Sequence, residues 1–330
     1  MLNILILGGN GFIGKNLKEY FATKDDLQVW APGRAELDCL SEEAVENYLR
    51  TRHFDIVIHG AIFVPRTAEE KNSGKVLEND LRMFYNFQKY SDLYGKMFYF
   101  GSGAEYDKRS DIVSVKEYGK VRDGDFAGGH EGLSKDMQMG EKDLLKETEE
   151  TIHRIPDTEY GFAKYIIHQQ ILRSENIYNF RVFGLFGKYE NWRTTFISGA
   201  CCKAVKGLPI SIRKNVYFDY LYIDDFCKIF EMVMRRELKY HEYNICSGKK
   251  YDLAGLADIV ADISERKTKK RPEIFICQEG LAPEYTADNG RLLEEIGGYG
   301  FLPIEQAVEQ LYQWYEQHSD IIEMYPLLYQ

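Results

Sequence analysis

Leu2-Asn3-Ile4-Leu5-Ile6-Leu7-Gly8-Gly9-Asn10-Gly11-Phe12-Ile13-Gly14 begins as an apolar run, breaks into glycines and resumes as an amphipathic helix. Leu2 to Leu7 is too short to span a membrane and too apolar for a surface strand, so it reads as a parallel strand buried on both faces. Gly8, Gly11 and Gly14 follow at three-residue spacing. Lacking Cβ atoms, they predict a tight turn at Gly8, backbone approach to a pyrophosphate at Gly11, and a helix lying close on its strand at Gly14. The N–H groups opening that helix, around Phe12 and Ile13, attract phosphate. Glycines that end an apolar strand and open a helix predict a dinucleotide site far more strongly than glycines alone.

Working outward, 330 residues exceed one ordinary domain and suggest one large α/β unit with an appended lobe. A composition of 44% hydrophobic and 28% charged residues is that of a soluble globular chain. A net charge of -10, with no concentrated basic patch, argues against nucleic acid as a partner but leaves room for small anionic ligands, which need only local donors. Met1 runs straight into the strand without a basic leader or cleavage site, which predicts a cytosolic protein with no membrane attachment. Cys39, Cys201, Cys202, Cys227, Cys246 and Cys277 show no CxxC spacing, and the seven histidines show no ligand pairing. The expectation is buried thiols and no metal.

A second strand, Gln28 to Ala31, leads into Pro32-Gly33-Arg34. An acid at the end of this strand would bond the ribose 2′-OH of NAD, whereas an arginine accommodates the 2′-phosphate of NADP. No acid ends the strand and Arg34 is close by, so NADP is expected, with NAD as the alternative. Asp38 is placed to reach the adenine. A third strand, Asp55 to His59, runs into Gly60 and Ala61, small residues suited to close cofactor approach; His59 is read as packing. A helix from about 75 to 94 and a fourth strand, Met97 to Phe100, deliver Ser102. Strands alternating with helices four times predict a Rossmann-type, doubly wound parallel sheet, with ligands at the strands' carboxyl ends. The charged, glycine-bearing segment from about 107 to 156, with His130 inside it, reads as an insertion over the mouth of the site or as a loop. The pattern YxxxK occurs at Tyr20/Lys24, Tyr85/Lys89 and Tyr160/Lys164; only Tyr160 opens the helix after the serine strand.

Together these residues resemble the extended short-chain dehydrogenase/reductase family of nucleotide-sugar epimerases, dehydratases and ketoreductases. The likeness runs on through Arg181 to Gly187, Asp219 to Asp225 and Tyr243 to Gly248. Arg34 to Asp38 and Tyr189 to Trp192 are most similar to its GDP-fucose synthase branch. The resemblance implies a Ser102, Tyr160, Lys164 catalytic set, with Tyr160 and Lys164 also touching the cofactor, and a homodimer through the helices at 75–94 and 160–174, where Phe84, Phe87, Ile166 and Ile171 are expected to face outward. Departures matter too. Family dehydratases carry Asp-Glu directly after the serine, where this chain has Gly103 and Ala104. Glu105 is one place late and, on an extended segment, would face away. Elimination is therefore disfavoured. Gly184, Lys188 and Phe218 replace the usual residues around the substrate diphosphate; Arg193, Arg213 or Lys214 are the substitutes, and Phe183 is a further candidate substrate contact.

A tyrosine can pass a proton to or from a sugar oxygen only if its pKa falls from about 10 toward neutrality, a shift of roughly 4 kcal/mol. Lys164, one helical turn on from Tyr160, is expected to supply that through its charge, with Ser102 holding the same oxygen. The resulting expectation is an oxidoreductase acting on a nucleotide-diphosphate sugar: a 4-keto-sugar reductase or epimerase/reductase, with a 4-epimerase retaining NAD as the alternative. A catalytically silent cofactor-binding regulator is the rival from another class, and a reductase of small non-nucleotide carbonyls a third. Residues 1–183, joined by about 215–247, form the expected dinucleotide domain. Residues 184–214 and 248–330 form a smaller, mostly helical substrate lobe.

Overall fold

The computed structural model describes residues 1–65, 67, 70, 73–106, 112–115 and 155–328. Most of the insertion expected at 107–156, with His130, lies outside these residues. Six parallel strands form the central sheet: β1 (Leu2–Leu7), β2 (Leu27–Trp30), β3 (Phe54–His59), β4 (Tyr94–Ser102), β5 (Ile177–Val182) and β6 (Glu242–Ile245). Their spatial order is β2-β1-β3-β4-β5-β6. The chain turns one way from β1 to β2 and the other way to β3, so the crevice that such a reversal opens lies beyond the carboxyl ends of β1 and β3. The glycine turn sits there.

Strand alternation explains why both faces are covered. Ile4 and Ile6, Ile56 and Ile58, and Phe98 and Phe100 point into one apolar cluster; Leu5 and Leu7, Val57, and Met97 and Tyr99 point into the other. The helices are α1 (Phe12–Phe21), α2 (Glu42–Arg50), α3 (Lys75–Gln88), α4 (Glu159–Ile171), α5 (Phe196–Val205), α6 (Ile223–Met234), α7 (Leu253–Thr268), α8 (Gly290–Ile296) and α9 (Ile304–Gln317). Leu17, Phe21, Phe226 and Phe230 from α1 and α6 cover the first face; Val45, Phe84, Phe87 and Ile167 from α2, α3 and α4 cover the second. Each side chain so buried is worth roughly 1.5–3 kcal/mol. Phe84, Phe87 and Ile171 are 0% exposed, contrary to the expectation that they face outward. Their positions on α3 and α4 look onto the sheet.

The first apolar cluster continues without a break into α5, α7 and α9, where Cys201, Leu256, Val260 and Leu311 are buried. This part of the molecule is less purely helical than expected. Ile210–Asn215 pairs in parallel with Ile274–Leu281, Leu185–Phe186 with Leu221–Tyr222, and 251–252, 217–218, 285–287 and 112–115 form a four-stranded sheet. Strand 285–287 also matters to the site. Among the described residues, no helix is long and apolar enough to cross a membrane.

Candidate active site

Gly8 adopts φ +80, and a Cβ on it would lie 2.8 Å from Gly60 O and 2.9 Å from Ala61 N. The ends of β1 and β3 therefore meet backbone to backbone. A Cβ on Gly14 would lie 2.4 Å from Gly8 O, so α1 rests directly on the turn. No side chain caps α1 at Gly11 and its first turn holds no acid, which leaves the N–H groups at Phe12, Ile13 and Gly14 as anion donors. A cavity of about 520 Å³ opens here, lined by Gly8, Gly11, Arg34, Asp38 and Ala61. Arg34 Nε stands 3.7 Å from Asp38 Oδ1, and both side chains are largely solvated. Asn10, Leu37, Cys39 and Met83 also line it. So do Ile62, Phe63 and Val64, which continue β3 outward into a second cavity of about 760 Å³ that reaches Thr158, Glu159 and Tyr160. Sequence reasoning missed these three, although their place beyond a strand's carboxyl end was a usable signal.

At the end of β4, Ser102 turns the chain. Its Oγ accepts from Ala104 N at 3.1 Å and opens a 3₁₀ turn over Gly103–Glu105. Thr158 caps α4 by accepting from Gly161 N, and a Cβ on Gly161 would lie 2.4 Å from Ala104 O. The first turn of α4 is thereby pressed onto the serine turn, and Tyr160 reaches Ser102. Of the three YxxxK tyrosines, Tyr20 bonds Glu231 at 2.6 Å and Tyr85 is 38% exposed. Only Tyr160 meets the serine.

The electrostatics differ from expectation. Burial raises the Tyr160 phenol, the Ser102 hydrogen bond lowers it, and the charge of Asp80 raises it further. Lys164 does not contribute to lowering it. Its ammonium, 1% exposed, donates to Tyr99 Oη and to Phe100 O, each at 2.8 Å. Burial draws Lys164 down to about 8, against the pull of Asp80. Asp80 itself accepts from Phe63 N at 2.6 Å and is 3% exposed. His59 packs as expected, held near 4 by burial and by the Lys164 charge.

Glu105 corrects another expectation. It lies in the 3₁₀ turn, not on an extended segment, and points into a buried ion network. Arg181 donates to Glu105 and, at 2.5 Å, to Glu242; His168 Nε2 lies 2.7 Å from Glu242. Burial alone would raise Glu242, but the Arg181 and His168 charges outweigh it and hold the carboxyl at about 2. Phe183 is 0% exposed and packs on Tyr285 at 5.1 Å, so it is a wall behind the serine turn and not an open substrate contact. Arg193 pairs with Glu323 at 2.7 Å and lines a cleft of about 250 Å³ with Thr195, Lys203 and Ser211 at the start of α5. Arg213 is exposed, two residues along its strand from Ser211 and so on the same face. Lys188 is held by Glu19 at 2.5 Å.

Residues 4–124 and 134–246 match the sequence pattern of the NAD dependent epimerase/dehydratase family. The chain belongs to that family. GDP-6-deoxy-D-talose 4-dehydrogenase from Aggregatibacter actinomycetemcomitans is 23% identical to it over 326 residues, 94% of this chain and 97% of the relative. UDP-glucose 4-epimerase from Thermotoga maritima, solved with UDP-glucose, matches with a TM-score of 0.74 at 16% identity, covering 96% of this chain and 100% of that one. A GDP-L-fucose synthetase from Naegleria fowleri, solved bound to NADP, matches with a TM-score of 0.71 at 14% identity, covering 97% and 95%. As an epimerase/dehydratase family member the chain is an NAD(P)-dependent enzyme of the extended short-chain dehydrogenase/reductase type. The uncapped helix at Gly11, the backbone contact between Gly8 and Gly60, and the cavity between them fit a dinucleotide.

Proposed function

We propose that this enzyme interconverts a carbinol and a ketone at C4 of a GDP-linked 6-deoxyhexose, with NADP(H) as the cofactor. The reading is carried by one observation: Ser102 and Tyr160 are hydrogen-bonded at the carboxyl end of β4, beside a glycine at 103 that admits no acid. A Cβ on Gly103 would lie 2.3 Å from both Phe183 Cε1 and Tyr285 Oη, so the aspartate position of a dehydratase has no room here. Among the described residues, those around the serine turn offer a hydroxyl and two phenols but no second acid–base pair to move protons at neighbouring carbons. That chemistry suits a reaction in which one hydride and one proton change hands.

NADPH, when bound, supplies the hydride for reduction. Tyr160 then gives its proton to the sugar oxygen, Ser102 steadies the phenolate that remains, and Lys164 contributes a buried cation one turn away, 5.4 Å from the Tyr160 ring. Gly8, Gly11, Phe12, Ile13, Gly14, Gly60 and Ala61 seat the dinucleotide, with Arg34 on the 2′-phosphate and Asp38 near the adenine. Arg193, with Lys203 and the start of α5, takes the sugar diphosphate, and Arg213 extends that basic face. The relative's name supports the GDP-sugar and the carbon attacked. The enzyme is proposed to be cytoplasmic and homodimeric, through the outer faces of α3 and α4, where Tyr85 is exposed and Leu81 and Ile166 are half-buried. The division into a dinucleotide domain and a substrate lobe is retained as part of this reading.

The test is to supply GDP-6-deoxy-D-talose with NADP⁺ and follow NADPH absorbance. Accumulation matching the ketone formed is expected, and Tyr160→Phe should lower kcat by about 10²–10⁴-fold. Two hexoses interconverting without net NADPH would mark an epimerase, and a Tyr160→Phe variant of undiminished rate would end the proposal.

A further inference from the structure

Ser102 is surrounded by more hydroxyls than the reaction as described uses. Its Oγ hydrogen-bonds the phenol of Tyr160 and also that of Tyr285, a residue far along the chain on the short strand Tyr285–Ala287. The second phenol is held rigidly. Its ring packs between Phe183, at 5.1 Å, and Phe218, at 5.4 Å, and its backbone carbonyl accepts from Asp219 N at 3.1 Å. The hydroxyl lies over the Cα of Gly103, in the space that a Cβ there would fill. Only a glycine at 103 lets Tyr285 come this near to Ser102.

A serine hydroxyl has one proton to donate and two lone pairs to accept with. One lone pair already takes the Ala104 N–H. We infer that Tyr285 is a positioning residue for the reaction: its hydroxyl donates to the remaining lone pair of Ser102, which leaves the single Ser102 proton directed at Tyr160. Without the second phenol, Ser102 could accept from Tyr160 as readily as donate to it, and an accepting serine does nothing for a phenolate. Burial keeps Tyr285 protonated far beyond the working pH, so it remains a donor throughout. The charges that act on Tyr160 and its partners, Asp80 on α3, Lys164 on α4 and Arg181 beside Tyr285, are untouched by removal of the Tyr285 oxygen.

The inference rests on the proposed proton transfer by Tyr160, so its test needs a readout that does not depend on turnover. Protein labelled with ¹³C at the tyrosine ζ carbons is titrated with NADP⁺ bound; the Tyr160 signal is the one that Tyr160→Phe removes. Tyr285→Phe keeps the packed ring and deletes only the hydroxyl. It is expected to raise the Tyr160 titration by about one pH unit, the worth of one hydrogen bond to a charged group. Ser102→Ala should raise it to the same place, and Tyr285→Phe added to Ser102→Ala should change nothing more. With GDP-6-deoxy-D-talose as substrate, Tyr285→Phe should lower kcat about tenfold at an unchanged KM. An unmoved Tyr160 titration in Tyr285→Phe, or losses that add to those of Ser102→Ala, overturns the inference. A failure to oxidise this sugar counts against the proposed substrate and leaves the titration to decide the role of Tyr285.

Discussion

At the adenine end of the crevice, Gly8, Gly11, Arg34 and Asp38 lie in one stretch of chain, mostly on turns, and Arg34 and Asp38 keep 68% and 42% of their side chains exposed. At the reacting end, Ser102, Tyr160, Lys164 and Tyr285 come from separate segments, and Lys164 is 1% exposed with its ammonium spoken for by Tyr99 and Phe100. The first end is set by backbone shape and is wet. The second is set by the valence of buried polar groups, each of which leaves a partner unsatisfied when removed. Substitutions at the reacting end should therefore have large and coupled effects, whereas those at the adenine end should be modest and separable.

Lys164→Met should show the largest effect and also the clearest trade. Activity is expected to fall about 10²–10⁴-fold. Stability should move the other way. The folded Lys164 titrates at about 8 against an ordinary 10.5, so below 8 both folded and unfolded chains hold the proton and the cost of burying the ammonium is present in full. Between those values the unfolded chain keeps the proton while the folded one releases it, so native stability rises with pH and the cost disappears. The shift sets an upper bound of about 3 kcal/mol, reduced by the lost bonds to Tyr99 and Phe100. Calorimetric melts should find the variant more stable than the native protein at neutral pH, by a margin that shrinks as pH climbs through this window. A margin that stays flat would mean the lysine is not buried as a cation.

Gly14→Ala probes the hinge between the two ends. The added Cβ would lie 2.4 Å from Gly8 O and 2.7 Å from Gly9 Cα, both backbone atoms with nowhere to go. Overpacking of that kind costs about 1–3 kcal/mol and should lower NADPH affinity by about 10–100-fold, read by fluorescence titration. Native affinity in this variant would show that α1 need not rest on the turn to hold the phosphates.

The same contrast explains what the sequence made legible. The glycine turn, the alternating strands and the serine at the end of β4 are written in contiguous residues whose spacing reflects local geometry, so periodicity exposed them. Tyr160 was separable from Tyr20 and Tyr85 because its helix follows the serine strand. Tyr285 carried no such mark: it reaches Ser102 only because strand 285–287 joins strand 217–218 beneath Gly103. Glu105 misled for a related reason. An extended backbone was assumed where Ser102 in fact caps a 3₁₀ turn, and the turn swings the carboxylate toward Arg181. Phe84 and Phe87 looked like an outer face because helical spacing marks an apolar stripe without saying which neighbour covers it.

Arg34 is where the smallest effect is expected, and it bears on cofactor choice. Its guanidinium is solvated and only loosely held, 3.7 Å from Asp38, so it is free to turn onto a 2′-phosphate lining the same cavity. An exposed charge contact of this kind is worth about 1 kcal/mol, which makes Arg34→Ala about fivefold weaker for NADPH. NADH, which lacks the phosphate, should bind the variant as it binds the native protein. Added salt should erode the NADPH advantage of the native protein and leave the variant nearly indifferent, because screening acts on the contact that has been removed. Equal losses for NADPH and NADH would locate Arg34 on a part of the cofactor common to both, and the adenine end would then not distinguish one dinucleotide from the other.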